Sequence, residues 1–249
     1  MDRRNFLKTG GMVVLGSMAA SSVLRAESLK GAHDASGISS ALNHFGVSQE
    51  DMKKVLAAAL EKGGDYADLF FEHTFNNYVG LQDGAVNRCN SNIDFGVGIR
   101  VLAGDQTGYA YVENVTLKEM LNAARTAARI ATGGKATLPV ALTDKPIKTN
   151  YYSVKMPWEE VILKSKMPYL QRLNDRIFAL DKRVHKVSAS LTDTTSHILF
   201  CNSEGVMYYD YRPMVTLGAV CIMEENGKVE NGYAARAYRM GFEFLNDDV

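Results

Sequence analysis

Between Ser91 and Val112 the chain reads SNIDFGVGIRVLAGDQTGYAYV, four glycines set in an alternating apolar frame. Alternation of this kind belongs to a strand with one buried face. Ile93, Phe95, Val97, Ile99 and Val101 share one side, while Gly96 and Gly98 lie on the other between Asp94 and Arg100. Gly108 and Ala110 give the next strand a bare face too. A face without side chains admits close approach of another backbone. The helix that follows, with Ala123, Ala124, Ala127, Ala128 and Ala131, is slim enough to make that approach. The expectation is a helix lying on the Gly96/Gly98 face, with Gly98→Val costing about 1–3 kcal/mol through overpacking.

The flanking pattern extends this frame. Ser48-x-x-Asp51 marks a helix start, and Met52, Val55, Leu56, Ala59 and Leu60 fall on one helical face before Gly63-Gly64. A strand follows over 66–75, then a turn at Asn76-Asn77, the strand YVGLQ, and a tight turn at Asp83-Gly84 needing positive φ. Strands near 85–90, 93–103 and 107–112 complete an antiparallel meander. Thr116-Leu117-Lys118-Glu119 is a capping box. Pro157 can open a further helix that Pro168 should kink or divide, with Leu170, Leu173, Ile177 and Leu180 on its apolar face. From Val184 onward the pattern is strand, with turns at 202–205 and 225–227. The fold class expected is α+β: an antiparallel meander with packed helices, followed by a second strand-rich segment.

The first 26 residues stand apart. Arg3 and Arg4 precede Phe6-Leu7, and a Gly- and Ala-rich apolar stretch runs from Gly10 to Leu24. This reads as a twin-arginine signal peptide and export, with a periplasmic location expected. The stretch is shorter than the ~20 residues that span a bilayer, so no permanent membrane anchor is expected. Residues 27–47 read as a flexible linker and 48–249 as the folded domain. Removing Arg3, Arg4, Lys8, Arg25 and Asp2 takes 28 basic and 28 acidic residues to 24 and 27. No cluster of lysines and arginines remains, so nucleic-acid binding is not expected. Cys89, Cys201 and Cys221 show no CxxC spacing; they are either one disulfide and a free thiol or small buried hydrophobes. The final FEFLNDDV reads as an abrupt end.

Known catalytic signatures are missing. Asp94-Phe95-Gly96 lacks a kinase's phosphate loop and catalytic loop. Gly96-x-Gly98 lacks the strand–turn–helix setting of a dinucleotide site. Among His33, His44, His73, His185 and His197, none is followed by Glu and no two stand one helical turn apart. His73 and His185 read as core or hydrogen-bonded residues in strands, and His33 and His44 as linker residues. No catalytic or metal residue is assigned. Arg100, Asp105, Gln106 and Tyr109, around the loop between paired strands, are candidates for a substrate groove; the alternative is a solvated hairpin tip.

Four segments in order, GGDYADLFFEHT, LQDGAVNRCNSNIDFGVGIRVLAGDQTGYAYV, VSASLTDTTSHILFCNSEG and the stretch from Tyr208 to Leu245, resemble the N-terminal half of TldD/PmbA proteins. These are bacterial metallopeptidases also described as modulators of DNA gyrase. The resemblance implies zinc held by a His-Glu-x-x-x-His helix and a later cysteine, both in the C-terminal half. The zinc would activate water for peptide hydrolysis, with the glutamate as general base. None of the histidines or cysteines here matches those ligands, so zinc is expected outside this chain, in a missing C-terminal half or in a partner. The resemblance further implies a substrate-enclosing α+β domain and a homodimer or a heterodimer of related subunits acting on peptides. The chain would then be inactive by itself. A non-catalytic assembly subunit that pairs with a zinc-bearing partner is the alternative, and an independent enzyme using carboxylates is a third.

Overall fold

The computed structural model describes residues 37–133, 137–147, 152 and 154–245. The expected leader with Arg3 and Arg4, His33, and residues 27–36 and 246–249 lie outside them. The expected linker needs correction where it is described. Helix α1 spans Ile38–Phe45 and buries Ile38, Ala41 and Phe45. Gly46, at φ 66°, closes it by donating its N–H to the carbonyls of Leu42 and Asn43. Helix α2 spans Gln49–Leu60, and the Ser48 hydroxyl accepts from the Asp51 N–H at 3.0 Å. All five residues of its expected apolar face are buried.

Strands β1 (Tyr66–Gln82), β2 (Ala85–Ala103) and β3 (Gln106–Val112) form the first meander, followed by helix α3 (Leu117–Ile130). Thr116 caps α3, accepting from the Glu119 N–H. A two-residue strand, β4 (Thr143–Asp144), and a 3-10 turn at Trp158–Glu160 lead to helix α4 (Leu163–Leu180). Strands β5 (Val184–Asn202), β6 (Val206–Glu225) and β7 (Lys228–Tyr238) form the second meander. The α+β expectation holds, and the second strand-rich segment joins the same sheet. β5 pairs antiparallel with β1 from Asp68↔Asn202 to Gln82↔Ser188, giving the order β3-β2-β1-β5-β6. β7 runs antiparallel to β6, and β4 pairs parallel with Val206 and Met207 at its start.

Several local expectations change for physical reasons. Asn76-Asn77 does not turn. Asn76 donates to Thr194 Oγ1 at 3.0 Å and Asn77 to Asp193 Oδ1 at 2.9 Å, so their amides are satisfied across β5 instead of by a local turn. The hairpin comes at Asp83-Gly84, with φ of 51° and 78°. Pro168 does not divide α4, because Met167, Tyr169 and Leu170 pack into one cluster on both sides of it. Leu180 is 82% exposed and leaves the expected apolar face. At the C-terminal side a 3-10 turn at Phe242–Phe244 buries Phe244 and Leu245.

The glycine face is also reassigned. Register pairs Val101 with Gly108 and Ile99 with Ala110, so the bare face of β3 lies on the apolar side of the sheet, opposite Gly96 and Gly98. Helix α3 packs there: a Cβ on Gly108 would be driven into the Ala127 carbonyl and towards the Ala131 N–H. A Cβ on Gly98 would instead meet the Tyr109 ring, which is 59% exposed and can swing aside. We therefore expect Gly108→Ala to lower stability by about 1–3 kcal/mol and Gly98→Ala by less than about 1 kcal/mol. Denaturant melts of the two variants check this, and equal losses would refute it.

Candidate functional site

Among the described residues the helices pack on one face of the sheet, but in two separate groups. One apolar cluster joins α1, α2 and α3 to Leu69, Phe71, Val97, Ile99, Val101, Leu199 and Cys201. A second joins Trp158, Leu170, Phe244 and Leu245 to Val79, Leu81, Leu191, Val215 and Leu217. Strand alternation puts the intervening residues on the same face: His73, Phe75 and Asn77 on β1, and Asp193, Thr195 and His197 on β5. A polar seam therefore crosses the middle of the sheet between two half-cores.

The covering elements supply its other groups. The 3-10 turn after Pro157 brings Glu159 over β5 and β6, where its carboxylate accepts from Thr195 Oγ1 and from the Tyr211 hydroxyl, both at 3.1 Å. His197 Nε2 lies 3.1 Å from Glu159 Oε1, and its Nδ1 lies 2.7 Å from the Tyr209 hydroxyl. Nε2–H donates to the carboxylate, and Nδ1 pairs with the Tyr209 hydroxyl in a hydrogen bond whose direction follows the protonation of the ring. From α1, His44 stacks on His197 with ring centroids 4.5 Å apart, and its Nε2 is 2.9 Å from Nδ1 of His73. His73 sits opposite His197 in the β1–β5 register. Beside this group, Lys166 of α4 donates to Asp193 at 2.5 Å, and both are almost wholly buried.

Burial dominates the electrostatics. It raises the hydroxyl pKa of Tyr209 and Tyr211, and the Glu159 charge adds to both. Burial pushes the Glu159 carboxyl up, but the hydrogen bond and charge of His197 and the Thr195 donor outweigh it and leave the group below its ordinary value. Burial raises Asp193, against the pull of Lys166 and Asn77. For His44, burial and then the neighbouring His197 lower the pKa to about 4, with Glu159 acting the other way. Hydrogen bonds link Glu159, His197 and Tyr209, and through His44 and Lys166 both helical covers are tied to the sheet.

The residues expected to line a groove are distributed differently. Arg100 and Tyr109 are opposite each other on the face away from the helices. Arg100 there donates twice to buried Asp68, at 2.9 and 2.5 Å, and this partner raises its pKa. Gln106 accepts from the Thr132 N–H at 3.1 Å and so anchors the end of α3. Asp105 lies exposed in the turn. The three cysteines are free, and Cys201 is buried as a small hydrophobe while Cys89 is exposed. His185 is exposed, contrary to its expected core or hydrogen-bonded place, and His44 belongs to a helix. Glu159 and the meeting of His44 with His197 were not found from sequence. Ile38, Ala41, Leu42 and Phe45, at helical spacing ahead of Gly46, are the signal for α1.

Zinc, the metal implied by the family resemblance, does not fit the seam. The nitrogens of His44 and His197 are directed at His73, Tyr209 and Glu159 and do not converge on one point. Among the described residues no group of three His, Cys, Asp or Glu side chains is placed to hold a metal ion.

The fold and seam define a class: a long antiparallel platform with its helices on one face, joined through a buried polar network. Two domain models of one family match it in order. PmbA/TldA metallopeptidase domain 1 matches residues 67–131, and the PmbA/TldA metallopeptidase central domain matches residues 157–249. The chain belongs to this TldD/PmbA family. It is 31% identical over 192 residues to a metalloprotease TldD homolog of Haemophilus influenzae, covering 74% of this chain and 39% of that one. It is 29% identical over 211 residues to the TldD homolog of Buchnera aphidicola, covering 84% of this chain and 43% of that one. The chain thus spans about two fifths of the length of these curated relatives. The crystal structure of TldE from Thermococcus kodakarensis shares the fold, with a TM-score of 0.59 at 13% identity over 76% of this chain and 43% of that one.

The depressed pKa of His44 sets a pH dependence. Between its ordinary value of 6.5 and about 4 the unfolded chain binds the proton and the folded chain does not, so stability falls as pH drops through that window. Discounted for the partial exposure of the ring, the effect is about 1–2 kcal/mol. Thermal melts at pH 7.5 and pH 5 should show this loss in the native protein and a smaller one in His44→Gln. The same loss in both would remove His44 as its source.

Proposed function

We propose that this chain is the substrate-enclosing N-terminal portion of a TldD/PmbA-type zinc metallopeptidase acting on peptides or unfolded segments. It works together with zinc-bearing residues outside the chain, in a C-terminal half or in a related subunit. The observation that carries this reading is the ordered match of domain 1 and the central domain. The curated relatives with which it aligns are named metalloproteases. Within that reading the platform shapes access to the reacting centre, and the seam keeps its two halves in register.

A peptide-hydrolysis assay tests the division of labour. The purified protein with added zinc should cleave nothing. Addition of a polypeptide carrying the His-Glu-x-x-x-His segment and the later cysteine should restore cleavage. Hydrolysis by the chain alone, or no gain from its counterpart, would overturn the proposal.

We further propose that the protein works outside the cytoplasm, on the strength of Arg3-Arg4 ahead of a short apolar stretch. Arg3→Lys with Arg4→Lys should leave the protein in the cytoplasmic fraction as uncleaved precursor. Unchanged export of that double variant would refute the route.

A further inference from the structure

Three imidazoles meet beneath α1. His44, the one titratable side chain on that helix, lies with its ring centroid 4.5 Å from that of His197 on β5 and 4.9 Å from that of His73 on β1. Its Nε2 faces Nδ1 of His73 at 2.9 Å, so the two nitrogens share one hydrogen and one of them must be bare. Around the rings, the 3-10 turn contributes Glu159, and β6 contributes Tyr209 and Tyr211. The Glu159 carboxylate is engaged by Thr195, Tyr211 and His197, and Asp193 of β5 by Asn77 and by Lys166 of α4. On α2, Lys54 pairs with Glu50 and Asp51. A further positive charge among the imidazoles therefore meets carboxylates already committed, and like charges at these separations repel. α1 has little of its own to resist this. It is eight residues long, and no side chain caps its start at Gly37. A helix so short holds by packing, here through Ile38, Ala41 and Phe45, with the Phe45 ring 5.6 Å from Phe71 and 5.9 Å from Phe95.

We propose that α1 is an acid-released cover: protonation of the imidazole cluster lifts this helix from the sheet while the β1–β5 ladder and helices α2 and α4 stay in place. The trigger is His44, because it alone of the three rings moves with the helix. In the closed form a proton on His44 sits in a half-buried site against His197 and His73; in the open form it sits in water. Burial and then His197 hold the closed pKa down to about 4, with Glu159 acting against them, whereas water returns it to 6.5. Between those values the open form takes up a proton that the closed form does not, so opening becomes easier as pH falls through the window. Above pH 6.5 neither form is charged there and the helix stays closed. Release uncovers Phe71, Phe95 and the rings of the seam without breaking a strand pair. Local opening of this kind draws on the element with the least support of its own. The inference goes beyond the peptidase reading and does not depend on it.

Hydrogen exchange of the native protein at pH 7.5 and pH 5, corrected for the intrinsic rate at each pH, is the test. The amides of α1 and its exit, from Ala41 to Val47, should be protected roughly tenfold less at pH 5 than at pH 7.5. They should also exchange ahead of the β1–β5 ladder and of α2, at a rate that low urea hardly changes, because a local opening exposes little surface. In His44→Gln, which keeps a hydrogen-bonding side chain but cannot take the proton, the loss between the two pH values should disappear. Protection of α1 that is the same at both pH values would overturn the proposal. So would α1 amides that exchange together with the ladder and with its urea dependence, since the helix would then leave only with the whole fold. An equal loss in His44→Gln would remove His44 as the trigger. The first two outcomes are read on the native protein and stand even where the variant fails to fold.

Discussion

The pairing of β1 with β5 is the contact on which the rest of this structure depends. It aligns residues 68–82 with 188–202 and turns two local meanders into one sheet. Both meanders bury the same alternating set, so both helical covers must settle on the same face. Their separation along the strands then leaves a central strip that neither cover fills with apolar side chains. What occupies the strip is fixed by register: His73 against His197, Asn77 against Asp193. A slip of one residue would turn those groups to the opposite face and bring Thr74, Ser196 and Thr194 in their place.

Leaving a buried ion pair and three imidazoles under two covers is costly in desolvation, and the seam offsets that cost by mutual satisfaction. Asp193 takes Lys166 and Asn77, while Glu159 takes Thr195, Tyr211 and His197. Among the described residues the buried side-chain atom without a partner is Oδ1 of Asn174, on α4 and not among the groups of the seam. Apolar contact is indifferent to direction, whereas these hydrogen bonds are not. Glu159 reaches its three donors only when the 3-10 turn stands over β5 and β6, and Lys166 meets Asp193 only when α4 lies at one height along the strands. The polar groups thus fix where each cover sits, and the two clusters supply the greater part of the attraction.

Much of the fold was legible because local signals and tertiary demands coincide. Ser48, Thr116, Asp83-Gly84 and Asn226-Gly227 are caps and turns whose chemistry does not wait for a partner. The errors arose where a distant contact decides. Asn76-Asn77 has turn composition, yet β5 captures both amides. Pro168 has the means to break a helix, yet packing on either side holds α4 together. The glycines of β2 and β3 seemed to share one bare face, and only the register shows that Gly98 and Gly108 point in opposite directions. Of the candidate groove residues, spacing along one hairpin could not reveal that Gln106 serves the core side while Arg100 and Tyr109 serve the other. His44 and Glu159 were invisible for the same reason: each acts on residues distant in sequence, His44 on His73 and His197 and Glu159 on Thr195, His197 and Tyr211.

The two family domains matched along this chain, one ending at residue 131 and the other beginning at 157, are units of descent. The hydrogen-bonded ladder from Asp68 to Gln82 crosses that border along its whole length. Cutting the polypeptide there would strip a long central strand of its neighbour on each side and leave half of the seam facing water. Inheritance has drawn a boundary where mechanics has none, and the two parts should melt as a single body.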